Sequence, residues 1–296
     1  MSIAGIPVIR HRFIEIDGIR LFYRESEPRR ADAPTLLLLH GFPSSSHQYR
    51  RLMDALGGHY RLIAPDYPGF GHSDAPVSAR AGGQFTYSFD RLADLIEGFV
   101  DALKLRRYML YVFDFGAPVG FRLATRRPER IAGLIVQNGN AYHEGLSEAA
   151  RSFIALTPDD ADAGERIGQL LTVEMTRAQY EGGTSEPDRV APDGWTMDQH
   201  FLDLPERRQP QHDLFFDYKS NLARYAEWQD WLRRDRPPTL ITWGKNDPFF
   251  TEPGARAYLR DVPEAALHLF DTGHFALEEK LPEIAPLIAD FVDRVW

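Results

Sequence analysis

Apolar residues in this chain follow two alternating rhythms. Short runs with almost no polar residue occur at Thr35-Leu36-Leu37-Leu38-Leu39, Tyr60 to Ala64, Tyr108 to Phe113, Ile131 to Val136, Thr239 to Trp243 and Ala266 to Phe270. Strands buried on both faces of a sheet need this composition. Between the runs the spacing changes to that of helices. Leu92, Leu95, Ile96, Phe99, Val100 and Leu103 place an amphipathic helix over 88–103, and further helices are predicted over about 117–127, before Pro128, and over about 281–295. Near the start, Phe13 to Ile16 and Arg20 to Tyr23 flank Asp17-Gly18, the signal of a hairpin. Strands alternating with helices predict an α/β chain whose mostly parallel central sheet is flanked by helices.

The rhythm breaks between about 140 and 236. No strand-like run occurs there, charges are frequent, and 181–194 is rich in Gly, Pro, Ser and Asp, as loops are. A helical insertion between two core strands is expected, with Pro237-Pro238 marking the return to the core. The predicted division is a core of 1–140 and 237–296 with a helical cap over 141–236. Within the cap, Tyr218, Leu222 and Tyr225 have the spacing to share one helix face.

Composition narrows the function. The 296 residues are 43% hydrophobic, enough for one large domain with an insertion. The absence of cysteine removes disulfides, thiolate catalysis and cysteine-ligated metals. A net charge of −9 disfavours nucleic acid and anionic membranes as partners. No apolar run approaches the roughly 20 residues of a membrane helix, and no basic segment followed by an apolar one opens the chain. A cytoplasmic monomer or homodimer is the expectation. No H-E-x-x-H and no clustered ligands occur, so neither metal nor cofactor is expected.

The candidate chemistry centres on Asp114. The run Tyr108-Met109-Leu110-Tyr111-Val112-Phe113 ends at this carboxylate, and Phe115-Gly116-Ala117 then opens a helix. Strand, sharp turn and helix form the setting of a nucleophile elbow. A serine there attacks acyl carbon, whereas a carboxylate can displace a leaving group from saturated carbon and remain bound as an ester. Three other strand ends carry suitable partners: His40-Gly41-Phe42-Pro43, Lys245-Asn246-Asp247-Pro248 and Thr272-Gly273-His274. His274 would take a proton from the water that hydrolyses the ester, and Asp247 would hold the imidazole tautomer. The N–H groups of Phe42 and Phe115 would stabilise the oxyanion. Asn138 and Glu144, after another strand, are alternatives to Asp247. Ser73 and Ser147 loosely mimic G-x-S-x-G but do not join a strand to a helix.

His40-Gly41-Phe42-Pro43 resembles the HGxP motif of epoxide hydrolases, which haloacetate dehalogenases share. Asp66-Tyr67-Pro68-Gly69-Phe70-Gly71-His72-Ser73 resembles a D-x-P-G-x-G-x-S loop. With the elbow, these motifs resemble the α/β-hydrolase superfamily over nearly the whole chain, in the branch of epoxide hydrolases and haloalkane or haloacetate dehalogenases with an aspartate nucleophile. The resemblance implies an α/β-hydrolase fold with a cap and, first, hydrolysis of an epoxide to a vicinal diol. A dehalogenase is the alternative, and a non-catalytic receptor of the same fold is more remote. A small, moderately apolar organic substrate is implied. Tyr218, in Phe216-Asp217-Tyr218-Lys219, resembles the second cap tyrosine of epoxide hydrolases; Tyr142, Tyr180 and Tyr225 are candidates for the first. His40, Tyr218 and Trp195 are expected around the substrate. His40 would shape the oxyanion loop, and Trp195 would serve as the halide donor of a dehalogenase. Three departures stand out: Val112 where the elbow usually has a small residue, Phe113 in place of histidine, and Phe115 in place of the tryptophan whose indole holds halide. No His-Trp pair like that of the haloacetate enzymes occurs in the cap.

Overall fold

A computed structural model describes residues 5–296. Eight strands form one sheet: β1 (Val8–Ile16), β2 (Ile19–Glu27), β3 (Thr35–Leu39), β4 (Arg61–Pro65), β5 (Tyr108–Phe113), β6 (Ile131–Gln137), β7 (Thr239–Gly244) and β8 (Ala266–Phe270). Their order is β1-β2-β4-β3-β5-β6-β7-β8. The hairpin β1–β2 and the pair β2–β4 are antiparallel, and every later pairing is parallel. Each of the six apolar runs is a strand. The hairpin turns at Asp17-Gly18, both with positive φ, and its strands extend well beyond the predicted four residues each.

Successive residues of a strand face opposite sides, so a continuous apolar run supplies both layers of core. Leu37, Leu39, Leu110 and Val112 face the helices Phe89–Ala102 and Gly116–Arg126. Leu36, Leu38, Met109 and Tyr111 face Arg50–Leu56 and Ala276–Val295. The last helix starts at Ala276, five residues before its periodic part and two after His274, and deviates from helical geometry at Lys280.

Between β6 and β7 lie seven α-helices, from Glu148–Ile154 to Tyr225–Asp235. Two local expectations differ. The stretch 181–194 is not all loop, because Pro187–Arg189 forms a 3-10 turn and Pro192 starts a helix as its first residue, where its missing N–H costs nothing. Tyr218, Leu222 and Tyr225 do not share one helix. The chain breaks there into Pro205–Asp217, Lys219–Leu222 and Tyr225–Asp235, so Tyr218 is a junction residue. Among the described residues no helix is long and apolar enough to cross a membrane.

β3 leads leftward to β4, and β5 returns to its other side. The ends of β3 and β5 therefore diverge into different loops, the place where open α/β sheets build their sites.

Candidate active site

Asp114 sits directly after β5 with φ of 46°, a left-handed conformation unusual for a residue with a side chain. The turn is held because Ala117 N–H donates to its carbonyl at 2.9 Å and its own N–H reaches Asn138 O at 3.4 Å. The elbow closes against β3 with little clearance. A Cβ on Gly116 would lie under 3.0 Å from the Leu39 carbonyl, and one on Gly120 would collide with Val112. Gly120 thus supplies, from the helix, the room that Val112 takes in the strand. Phe113 packs its ring 4.6 Å from that of His274 and 5.0 Å from Phe275, fixing the imidazole from behind.

Phe42 N–H donates to Asp114 Oδ1 at 2.6 Å. Oδ2 faces His274 Nε2 at 3.8 Å, beyond hydrogen-bond length, so this oxygen and this nitrogen do not tie each other up. His274 Nδ1 lies 2.6 Å from Asp247 Oδ2. A carboxylate facing Nδ1 accepts, so in the neutral ring Nδ1 carries the proton and Nε2 keeps a lone pair. Asp247 is itself held by the N–H groups of Phe249 and Phe250 and by Asn138 Nδ2, at 2.8, 3.1 and 2.8 Å. Asn138 also exchanges two hydrogen bonds with the Gly244 backbone, locking the ends of β6 and β7 together. It supports Asp247 rather than replacing it. Glu144 points away to a surface pair with Arg260. Ser73 is consumed between Phe22 N and Asp66 O, and Ser147 caps a helix.

Burial pushes the Asp114 carboxyl up to about 6; His274 and the N–H groups of Phe115 and Phe42 hold it from rising further. Burial disfavours the His274 imidazolium, but the charge and hydrogen bond of Asp247, with Asp114 behind them, outweigh it and raise the imidazole.

Gly41 is where backbone must approach the carboxylate. A Cβ there would lie under 3.0 Å from Asp114 Cβ, Cγ and Oδ1. Gly41→Ala should therefore displace either Phe42 N–H or the carboxylate. Since a misplacement of about 1 Å can cost on the order of 10²-fold, a loss of that size in kcat with an unchanged circular dichroism spectrum is the expected result; full activity would show that the loop can give way freely.

The α/β hydrolase fold family model matches residues 34–281. The chain belongs to this family. An uncharacterized hydrolase of Saccharomyces cerevisiae is 38% identical over 280 residues, covering 93% of this chain and 94% of its own length. A haloalkane dehalogenase of Mycolicibacterium paratuberculosis is 35% identical over 283 residues, covering 91% of this chain and 86% of its own length. The crystal structure of the haloalkane dehalogenase DatA from Agrobacterium tumefaciens C58 matches with a TM-score of 0.78 over 97% of each chain, at 21% identity.

In this α/β hydrolase a cavity of about 60 Å³ opens over Asp114 and His274. Phe42, Phe115, Phe215, Phe249 and Phe250 form much of its wall, and Tyr218 and Gln179 add polar groups from the helical insertion. Tyr218 is buried with its ring 5.8 Å from Phe115 and 5.6 Å from Phe89. Burial, and then the neighbouring Tyr225 and Asp114, raise its phenol well above the usual tyrosine range, so it stays protonated.

Other expected residues lie elsewhere. Trp195 does not line the cavity; it packs at the edge of the opposite core layer beneath Arg177, because the helix Pro192–Leu202 turns that face away from Asp114. His40 does not reach substrate space either. Fully buried, it accepts from Tyr67 N–H and faces the Gly41 carbonyl, both at 3.1 Å, and burial pushes its pKa down to about 4, so it braces the loop as a neutral ring. Of the candidates for a first cap tyrosine, Tyr142 donates to Asp261, Tyr180 to Asp198, and Tyr225 accepts from Asn140. Of the apolar wall, Phe42 and Phe115 were named from sequence for their backbone N–H groups, whereas Phe215, Phe249, Phe250 and Gln179 were not identified. Among the described residues no group of three or more His, Cys, Asp or Glu is arranged to hold a metal.

Proposed function

We propose that this α/β hydrolase opens a small neutral epoxide to a vicinal diol through an ester on Asp114. The observation that carries the reading is a mostly apolar cavity lined by a carboxylate, an imidazole and a phenol kept protonated by its surroundings. With Oδ1 engaged by backbone, Oδ2 attacks a ring carbon and the carbon–oxygen bond breaks. The released alkoxide takes the Tyr218 proton. His274 Nε2 then deprotonates a water whose oxygen adds to the Asp114 carbonyl carbon, with the developing charge on Oδ1 facing the N–H groups of Phe42 and Phe115. Collapse expels the diol oxygen, which receives the proton from His274. The proton of the regenerated carboxyl returns to Tyr218, so the net reaction adds one water. The helical insertion acts as the cap that keeps bulk water from the ester.

Charge decides against acidic substrates. Among the described residues no lysine or arginine lines the cavity, and a haloacetate would put a second negative charge beside Asp114 with no partner. A second reading, displacement of halide from a neutral haloalkane, is favoured by the haloalkane dehalogenase relatives. Against it, the side chains of Phe42 and Phe115, beside the nucleophile, offer a leaving halide no hydrogen bond.

Incubation with short terminal epoxides and 1-haloalkanes, assayed for diol and for halide, separates the two. Tyr218→Phe should lower kcat on epoxides on the order of 10²-fold and leave any halide release unchanged. Equal rates for wild type and variant on an epoxide would return Tyr218 to a packing role.

A further inference from the structure

The polar groups on the buried side of the helix Val173–Glu181 are paired, with one exception. Thr176 Oγ1 donates to Gln199 Oε1 at 2.7 Å, and Tyr180 donates to Asp198. Gln179 lies between them, 4% exposed, and its amide Nε2 is buried with no hydrogen-bond partner among the described residues. The same side chain lines the mostly apolar cavity that holds Asp114, and none of the cavity's polar side chains hydrogen-bonds its Nε2. A buried amide N–H left without a partner is destabilising, and a leucine or methionine would fill the position without that cost. The unpaired donor therefore has a use only when something that accepts a hydrogen bond enters the cavity.

We propose that Gln179 is a second donor to the leaving atom, acting beside Tyr218 in the step that forms the ester. The inference rests on the reading of Asp114 as nucleophile. Its chemistry differs from that of the phenol. Tyr218 can give up its proton; an amide N–H cannot at these pH values, and only stabilises developing negative charge. Attack by Asp114 Oδ2 forms the new carbon–oxygen bond, the bond to the leaving atom breaks, and its electron pair is met by the Gln179 N–H. No proton leaves the amide, and a leaving oxygen takes its proton from Tyr218. This division also provides the donor that a tyrosine pair would otherwise supply, since Tyr142 and Tyr180 donate to other carboxylates and Tyr225, beside Tyr218, does not line the cavity.

The test uses the full chain and reads the two half-reactions separately. Gln179→Leu and Gln179→Glu are compared with wild type in single-turnover experiments, with a short terminal epoxide and a 1-bromoalkane, following adduct on Asp114 by intact mass. Both variants should slow adduct formation on the order of 10²-fold, while hydrolysis of adduct already formed keeps its wild-type rate. Gln179→Leu should melt no lower than wild type, because it loses no hydrogen bond; a purely structural glutamine would show the opposite pattern, a lower melting temperature with normal adduct formation. Slowing on the epoxide marks a leaving oxygen as the partner, and slowing on the bromoalkane alone marks halide. Unchanged adduct formation with every substrate that labels Asp114 overturns the proposal for Gln179 and spares the nucleophile. Failure of any substrate to label Asp114 in wild type or variant overturns both.

Discussion

His274→Gln should stop turnover while leaving the first attack intact, and the protein should accumulate as its own intermediate. The proposed mechanism separates two half-reactions. In that mechanism Asp114 Oδ2 would need no base in order to attack, because the carboxylate ionises at about 6, whereas hydrolysis of the ester would need a free lone pair on His274 Nε2. Glutamine cannot take a proton from water, so steady-state turnover should fall on the order of 10³-fold. Intact mass then reads the leaving group directly. An epoxide adds its whole mass to the chain, since every atom stays on the ester. A haloalkane adds its mass less that of the hydrogen halide. The adduct should map to the peptide holding Asp114. Removing the imidazole also removes the group that helps hold the Asp114 pKa down, so the acid limb of adduct formation should lie above pH 6 in this variant. A variant that keeps wild-type turnover would take His274 out of the hydrolytic step.

The strands were legible because they are buried on both faces. Such a run has nowhere to place a polar residue, and the six apolar runs match six strands to within a residue at either end. The catalytic candidates were legible for a related reason: Asp114 ends an apolar run, Asp247 and His274 lie in the loops just beyond two others, and parallel pairing brings those strand ends to one edge of the sheet. What sequence spacing could not show was compensation between distant residues. Val112 reads as a misfit in the elbow until Gly120, eight residues later, is seen to make its space. Asn138 reads as a rival to Asp247 until its amide is seen to donate to that carboxylate. The insertion was least legible. Its helices are short and meet at sharp junctions, so the direction of a side chain depends on breaks that periodicity does not register. That is why Trp195 falls outside the cavity and Gln179, one polar residue among many, falls inside.

Asp114→Asn should abolish activity and, at neutral pH, make the protein more stable. The carboxyl is raised from its ordinary 3.8 to about 6, first by burial. A raised carboxyl means that the fold disfavours the ionised form, so the ionised group costs stability above pH 6. A rise of that size corresponds to about 3 kcal/mol. As pH falls through 6 towards 3.8, the folded protein binds its proton before the unfolded chain does, and the cost disappears. Asparagine removes it at every pH. It also tolerates the left-handed conformation at φ of 46° better than most residues, and its carbonyl oxygen can still accept from Phe42 N–H. The variant should thus melt roughly 5–10 °C higher than wild type at pH 8, with the difference shrinking towards pH 4. Loss of activity alone would be expected for any removed nucleophile. The pH-dependent gain in stability is the sharper result, because it ties the reactivity of Asp114 to its desolvation. Equal melting temperatures at pH 8 would mean that water reaches the carboxylate, and a hydrated carboxylate is a poor nucleophile towards saturated carbon.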